Sequence, residues 1–313
     1  MNEDEDQEKI RDERNARTVK KAPMITTYLV FGDLHGRILP AFRLAAVWSR
    51  ETRVEVAGLL QVGDLGYFPD PSRLDKATKA HAAKDPLELG ASLVAQPSRE
   101  ADAILLGEDH LIANLWATLG NHEDYEAIAD WDRAADRRAA SFAIDAYARV
   151  RCIRNGQVVE LLDGLRIGAL WGIDAEAPNA RPRTPAYARI ADRAAYALAA
   201  SRFDVLLTHE SPRDAVYDDS GSVAINLILE AAQPAFAFFG HYSGAHGRIE
   251  AGPRCVDTRI HHMAGFEMRA KGSTAEPGSV GLLRWDGENR SGSFEYLDEA
   301  WLRTFTRHNW RHR

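Results

Sequence analysis

Cysteine is almost missing from this chain: Cys152 and Cys255 are the only two in 313 residues. That excludes a disulfide framework and a cysteine-based zinc site. No run of roughly 18 apolar residues occurs, so no membrane-spanning helix is expected. The N-terminal residues hold no apolar core of a secretory signal, and the expected compartment is the cytoplasm. Positive charge is not in excess either. Lys+Arg number 39 against 46 Asp+Glu, a net charge of −7. That balance argues against a protein that coats nucleic acid by bulk charge and does not exclude a local basic patch. Internal repeats are lacking, and low complexity is confined to the alanine-rich patches at 134–148 and 194–200.

What is present is an ordinary globular composition, with 45% hydrophobic and 27% charged residues, enough to bury a sizeable core. Residues 1–21 hold seven acids, six bases and four apolar residues. Such a segment buries too little surface to offset its ordering entropy, so 1–22 is expected to be a disordered charged tail. Residues 23–300 read as one domain with an insertion or lid at 65–114, followed by a basic aromatic segment at 301–313. From Ile25 onward strands alternate with helices. Strands are expected at 25–31, 54–62, 115–119, 205–208 and 235–239, and helices at 38–48, 73–84, 99–113, 123–147 with a break near Ala139, 187–200 and 222–232. Asp163-Gly164 between two apolar runs signals a hairpin over 158–171. Short strand candidates at 247–250, 258–263, 279–285 and 293–297 close the chain. The pattern is βαβ units first, then an antiparallel tail.

Five apolar runs end in side chains able to bind a metal. Tyr28-Leu29-Val30-Phe31 ends in Gly32-Asp33-Leu34-His35-Gly36, and Leu59-Leu60-Gln61-Val62 ends in Gly63-Asp64. Trp116-Ala117-Thr118-Leu119 ends in Gly120-Asn121-His122-Glu123, Val205 to Thr208 in His209-Glu210, and Phe236 to Phe239 in Gly240-His241. In an open α/β sheet, ligands bind beyond the carboxyl ends of the strands, so these termini should converge on one crevice. Two Asp, one Asn and several His form an oxygen and nitrogen donor set suited to Mn, Fe, Zn or Mg. The neighbouring glycines would let the chain turn sharply there.

The ordered set Gly-Asp-x-His-Gly, Gly-Asp, Gly-Asn-His-Glu, His, Gly-His resembles the calcineurin-like metallophosphoesterases over roughly residues 25–265. Within that superfamily the chain looks most like the RNA lariat debranching enzymes and related bacterial phosphoesterases, through Gly164 to Gly168 leading to Gly172-Ile173 and through Asp204 to Arg213. The resemblance implies a four-layer α/β/β/α sandwich with a two-metal site. Asp33 and His35 would hold the first metal, Asp64 would bridge both, and Asn121, His209 and His241 would hold the second. Two cations about 3.5–4 Å apart clamp a phosphoryl group and activate a water between them. His122 would sit over the phosphate, stabilise the developing charge and donate a proton to the leaving oxygen. Two divalent ions are expected, from Mn, Fe, Zn or Mg with Mn favoured.

Two departures from the family pattern stand out. The last motif is usually Gly-His-x-His, its second His binding the first metal, but here Gly240-His241-Tyr242-Ser243-Gly244-Ala245-His246 places Ser243 at that position. Either the loop bulges so that His246 reaches the metal, or the first site lacks a ligand. The protein Ser/Thr phosphatases carry Asp-Arg-Gly shortly after Gly-Asp, and this chain does not. The acid that would orient His122 is therefore unassigned, with Asp70 and Asp124 as candidates.

The 65–114 insertion resembles a substrate-recognition element, although a plain surface excursion fits equally. Arg181, Arg183, Arg248, Arg254, Arg259, Arg269 and Lys271 could contact a phosphodiester. His261 and His262 read as packing or surface residues. Trp301 to Arg313 either docks Trp301 and Phe305 on the body or grips single-stranded nucleic acid. The reading that joins these features is a metal-dependent hydrolase. It would cleave a nucleotide or nucleic-acid phosphodiester by metal-activated hydroxide, without membrane partners, and its oligomeric state is open. Its alternatives are a phosphomonoesterase or protein phosphatase, and a degenerate binder of metal or nucleotide.

Overall fold

Alternation in the strands sorts apolar side chains onto opposite faces, and the computed structural model stacks those faces into layers. The structure describes residues 25–175, 185–243, 247–249, 257–268 and 274–313. Its strands are β1 (Ile25–Phe31), β2 (Gly58–Gln61), β3 (Asn114–Ala117), β4 (Ser141–Ala143), β5 (Val150–Ile153), β6 (Val158–Glu160) and β7 (Arg166–Leu170). β8 (Val205–Thr208), β9 (Phe236–Phe239), β10 (Gly247–Arg248), β11 (Arg259–His262), β12 (Val280–Asp286) and β13 (Ser291–Tyr296) follow. One sheet has the order β13-β12-β1-β2-β3-β5-β4, and the second has the order β10-β11-β9-β8-β7-β6. β1, β2, β3 and β5 run parallel, as do β7, β8, β9 and β11, with antiparallel strands at the edges.

The helices are α1 (Ile38–Thr52), α2 (Lys76–Ala82), α3 (Ala91–Ala95), α4 (Arg99–Leu105), α5 (Tyr125–Ala134), α6 (Asp192–Ala199) and α7 (Val223–Ala232). Three apolar cores separate four layers. Leu29 and Phe31 of β1 face the core under α1 and α4, while Tyr28 and Val30 face the core between the sheets. In β9, Phe236 and Phe238 join the inter-sheet core, and Ala237 and Phe239 face α6 and α7. This is the α/β/β/α sandwich expected from the sequence.

Several elements differ from expectation. Helix α5 ends at Ala134, and residues 141–143 form the edge strand β4 paired with β5. Alanine favours helix, but here burial of Phe142 and the ladder to β5 outweigh propensity. The β5 strand gave no clear signal because Arg149, Arg151 and Arg154 interrupt its apolar run; Arg151 lies over Trp116, 5.6 Å from the ring centroid. Asp163-Gly164 does turn the β6–β7 hairpin, with Gly164 at φ +82°. The C-terminal segment docks: Phe305 and Trp310 are buried in the α1-side core and Trp301 packs on it, through 3-10 turns rather than one helix.

Candidate metal centre and the residues around it

The parallel strands of both sheets deliver their loops to one rim. Asp33 and His35 follow β1, Asp64 follows β2, and Asn121 and His122 follow β3; His209 follows β8 and His241 follows β9. The loops are tied to one another. Leu34 and His35 N–H donate to the Asp64 carbonyl at 3.0 and 2.9 Å, and Gly36 N–H donates to Leu65 at 2.8 Å. Glu123 accepts from the N–H groups of Leu65 and Tyr67, both at 2.7 Å, and so binds the β2 loop to the β3 loop. His35, Asp64 and His241 have left-handed backbones, φ 42°, 47° and 71°. Such residues cost of order 1–3 kcal/mol each and persist where the surroundings enforce them.

Only part of the glycine expectation holds. Gly63, at φ +101°, does turn the chain. Gly120 and Gly240 instead leave room: a Cβ on Gly120 would overlap the Asp64 carboxylate, and one on Gly240 would overlap that of Asp33.

Among the described residues, two donor clusters result. Ligand atoms of Asp33, His35 and Asp64 lie within 4.8 Å of one another, and so do those of Asp64, His209 and His241. Asp64 belongs to both, as a bridging carboxylate requires. The donor set fits a pair of divalent cations on two further observations. The Asn121 side-chain oxygen is buried without a hydrogen-bond partner. Moreover, His209 Nε2 is held 3.1 Å from His241 Nδ1 and 3.2 Å from Asp64 Oδ2, an inward convergence of electron-pair donors. Asp64 Oδ1 accepts from the N–H groups of Asn121 and His122, at 2.7 and 2.8 Å. His241 N–H donates to Asp33, at 3.2 Å to Oδ2.

Burial and crowding shape the charges. Burial raises the Asp33 carboxyl to about 7 and lowers the His35 imidazole to about 4. Burial also acts to raise Asp64, but the facing imidazoles of His209 and His122 outweigh it and hold the carboxyl well below the usual range. His209 is pulled down by burial, yet Asp64 and Asp33 push it up to about 9. Cations placed among these groups would lower all of these values.

His122 faces the same crevice, its ring centroid 5.8 Å from that of His35. Its Nδ1 lies 2.7 Å from Asp75 Oδ2. Burial lowers this imidazole, but Asp64 and the Asp75 hydrogen bond push it up to about 9. Neither expected orienting acid contacts it. Asp70 accepts from Ser72 N–H in a surface turn, and Asp124 caps α5 while pairing with Arg73. Asp75, which the sequence reading did not single out, also caps α2, where its Oδ1 accepts from Thr78 N–H at 2.8 Å.

A cavity of about 560 Å³ opens above the two clusters. The 65–114 insertion forms one wall through Ala77, Thr78, His81 and Glu88. It is not a plain excursion: the buried Arg37 donates to the His35 carbonyl at 3.0 Å and pairs with Asp85 and Glu88 at 2.8 and 3.0 Å. Asp174, Glu210, Tyr217, Tyr242 and Ser243 form part of the facing wall. Glu210 was visible beside His209 but without a role. It is buried and accepts from Ser211 N–H, Asp174 N–H and the Tyr242 hydroxyl.

Ser243 lines the cavity, and its carbonyl accepts from the Tyr217 hydroxyl at 3.3 Å. His246, the tentative substitute ligand, lies outside the described residues, as do Arg181, Arg183, Arg254, Arg269, Lys271 and the side chain of Arg248. Arg259 sits 3.9 Å over the Phe236 ring and donates to the Gly292 carbonyl, a structural placement. His261 and His262 are buried against Phe238 and Phe239, as the packing reading expects. Glu267, which no motif marked, faces the cavity beside Asp33 and His35. Among the described residues, no helix is long and apolar enough to cross a membrane.

Comparison with known proteins gives one family and several distant structural likenesses. The solved structures similar to this chain include TT1561 of Thermus thermophilus, with 10% identity, TM-score 0.46, and 88% of this chain and 100% of that chain covered. Another is a conserved protein of Streptococcus pneumoniae TIGR4 described as a predicted phosphoesterase, with 11% identity, TM-score 0.32 and coverage of 87% and 98%. A third is PH1004 of Pyrococcus horikoshii OT3, with 9% identity, TM-score 0.34 and coverage of 89% and 91%. No curated protein matches the chain significantly. The family model for calcineurin-like phosphoesterases matches residues 26–242, a span that takes in every donor of the two clusters and Asn121. With the shared Asp64, the paired donor clusters and that match together, the chain belongs to the calcineurin-like phosphoesterase family and is a metal-dependent hydrolase of phosphate esters.

Proposed function

We propose that the protein is a phosphodiesterase acting on a nucleotide or nucleic-acid diester, with two divalent cations, Mn2+ favoured. The observation that carries this reading is Asp64, common to two donor clusters at the floor of a cavity that His122 also faces. Asp33, His35 and Asp64 would hold one cation, and Asp64, Asn121, His209 and His241 the other. When bound, the pair supplies Lewis-acid neutralisation of a phosphoryl group and a water nucleophile at neutral pH. His122 would hold a proton on Nε2 for the departing oxygen while Asp75 fixes Nδ1.

The walls favour a diester. Asp174, Glu210 and Glu267 contribute carboxylates to the lining besides Glu88, which is paired with the buried Arg37. A monoester dianion carries one more negative charge into that setting than a diester monoanion. The exposed ring of Tyr217, packed 5.8 Å from that of Tyr242, offers a face on which a nucleobase can stack. We extend the proposal to a cytoplasmic location.

Metal content after mild purification, paired with hydrolysis of bis(p-nitrophenyl) phosphate and p-nitrophenyl phosphate in added Mn2+, tests the reading. Two ions per chain and faster diester turnover are expected. Faster monoester turnover would overturn the diester assignment. One ion and no turnover of either ester would favour the degenerate binder that Ser243 raises. Asp64→Asn or His122→Ala with intact hydrolysis would refute the assigned roles.

A further inference from the structure

We propose that Glu267 supplies the first metal site with the donor that the family pattern assigns to the position of Ser243. This rests on the two-metal reading above. The segment carrying Glu267 is fastened to the exit of β1, because Phe266 N–H donates to the Asp33 carbonyl at 2.7 Å. Upstream, Met263 N–H donates to Phe239 and Ala264 N–H to Gly278, so the chain has little freedom to drift. Phe266 and Met268 are both fully buried in the α1-side core. Glu267, between them, is turned the other way and lines the cavity with Asp33 and His35. A Cβ built on Gly265 would stand 3.6 Å from Glu267 Oε1 and 3.9 Å from Asp33 Cβ, so the Glu267 and Asp33 side chains lie on either side of Gly265; the Glu267 carboxylate stands outside the 4.8 Å cluster of Asp33, His35 and Asp64 and would join it by rotation of its side chain. The charge of Glu267 is felt at Asp33, His35 and Glu88.

The first cluster otherwise offers Asp33, His35 and the shared Asp64. An exposed serine hydroxyl is a poor fourth donor beside imidazole. A carboxylate is a good one, and it adds a third negative charge against the mutual repulsion of two dications. Exchanging imidazole for carboxylate also makes the first site harder, favouring Mn2+ or Mg2+ over Zn2+.

The experiment is Mn2+ titration of the full-length chain by calorimetry, with electron paramagnetic resonance to detect spin-coupled pairs. The wild-type chain should bind two Mn2+ and show the coupled signal. Glu267→Gln, nearly isosteric, should bind one ion as tightly as before and the other at least tenfold more weakly, losing the coupled signal at matched concentration. Adding Ser243→His to Glu267→Gln should restore the second ion and raise the preference for Zn2+. Wild-type affinity at both sites in Glu267→Gln would overturn the proposal while leaving the two-metal reading intact. Loss of both ions together would also overturn it, by showing that the side chain supports the fold rather than one site. A wild-type chain that binds no Mn2+ would overturn the two-metal reading and this proposal with it.

Discussion

Replacing Asp75 by Asn tests whether His122 acts as an oriented acid. Asp75 makes two contacts with separate oxygens: Oδ1 accepts from Thr78 N–H and Oδ2 meets His122 Nδ1. Asparagine can keep the helix cap with its carbonyl. It then presents an N–H to Nδ1, where an imidazolium needs an acceptor. The fold should therefore survive while the protonated state of His122 loses its partner. A hydrogen bond to a charged group contributes about 1.5–3 kcal/mol, which is about ten- to a hundredfold in rate at 1.4 kcal/mol per decade. The loss should depend on the leaving group. An alkoxide needs the proton, so a methyl or ribosyl ester should lose the full factor. A p-nitrophenolate leaves without protonation, and its rate should fall much less. The alkaline limb of the kcat/KM profile should also move to lower pH, because the pair with Asp75 helps raise His122 to about 9. Equal losses for both leaving groups, or an unmoved alkaline limb, would refute the assignment of His122 as acid and of Asp75 as the group that positions it.

Other perturbations follow from the same geometry. Gly120→Ala puts a methyl group into the Asp64 carboxylate; overpacking of this kind costs about 1–3 kcal/mol, and Mn2+ affinity measured by calorimetry should fall with it. Arg37→Leu leaves Asp85 and Glu88 without their buried cation; it should destabilise by about 3–5 kcal/mol in urea melts, and Glu88→Leu on top should recover part of that loss. In a chelator, His122 and His209, each raised from 6.5 to about 9, contribute stability that is full below pH 6.5 and lost as pH rises towards 9. The melting temperature should fall across that window, whereas the stabilisation gained from Mn2+ should grow, because ligands shed protons to bind metal.

The donors at the strand ends were legible because their chemistry and their geometry are both local. An apolar run marks a strand, the residues just beyond it mark its carboxyl end, and parallel topology carries five such ends to one rim. The groups that serve those donors were not legible, because they reach the site only through the tertiary path of the chain. Asp70, Asp75 and Asp124 each cap a helix or turn, and nothing local tells them apart. Which of them meets His122 is decided by where the insertion runs, and that is set by Arg37 holding Asp85 and Glu88, 48 and 51 residues away. The same ion pairs lie under His35, whose carbonyl Arg37 also holds. A single buried guanidinium thus positions a candidate ligand of the first metal and the wall that carries the partner of His122. Changes in the insertion that preserve Asp75 but loosen Arg37 should therefore disturb metal binding and proton donation together, a coupling that no motif in the sequence displays.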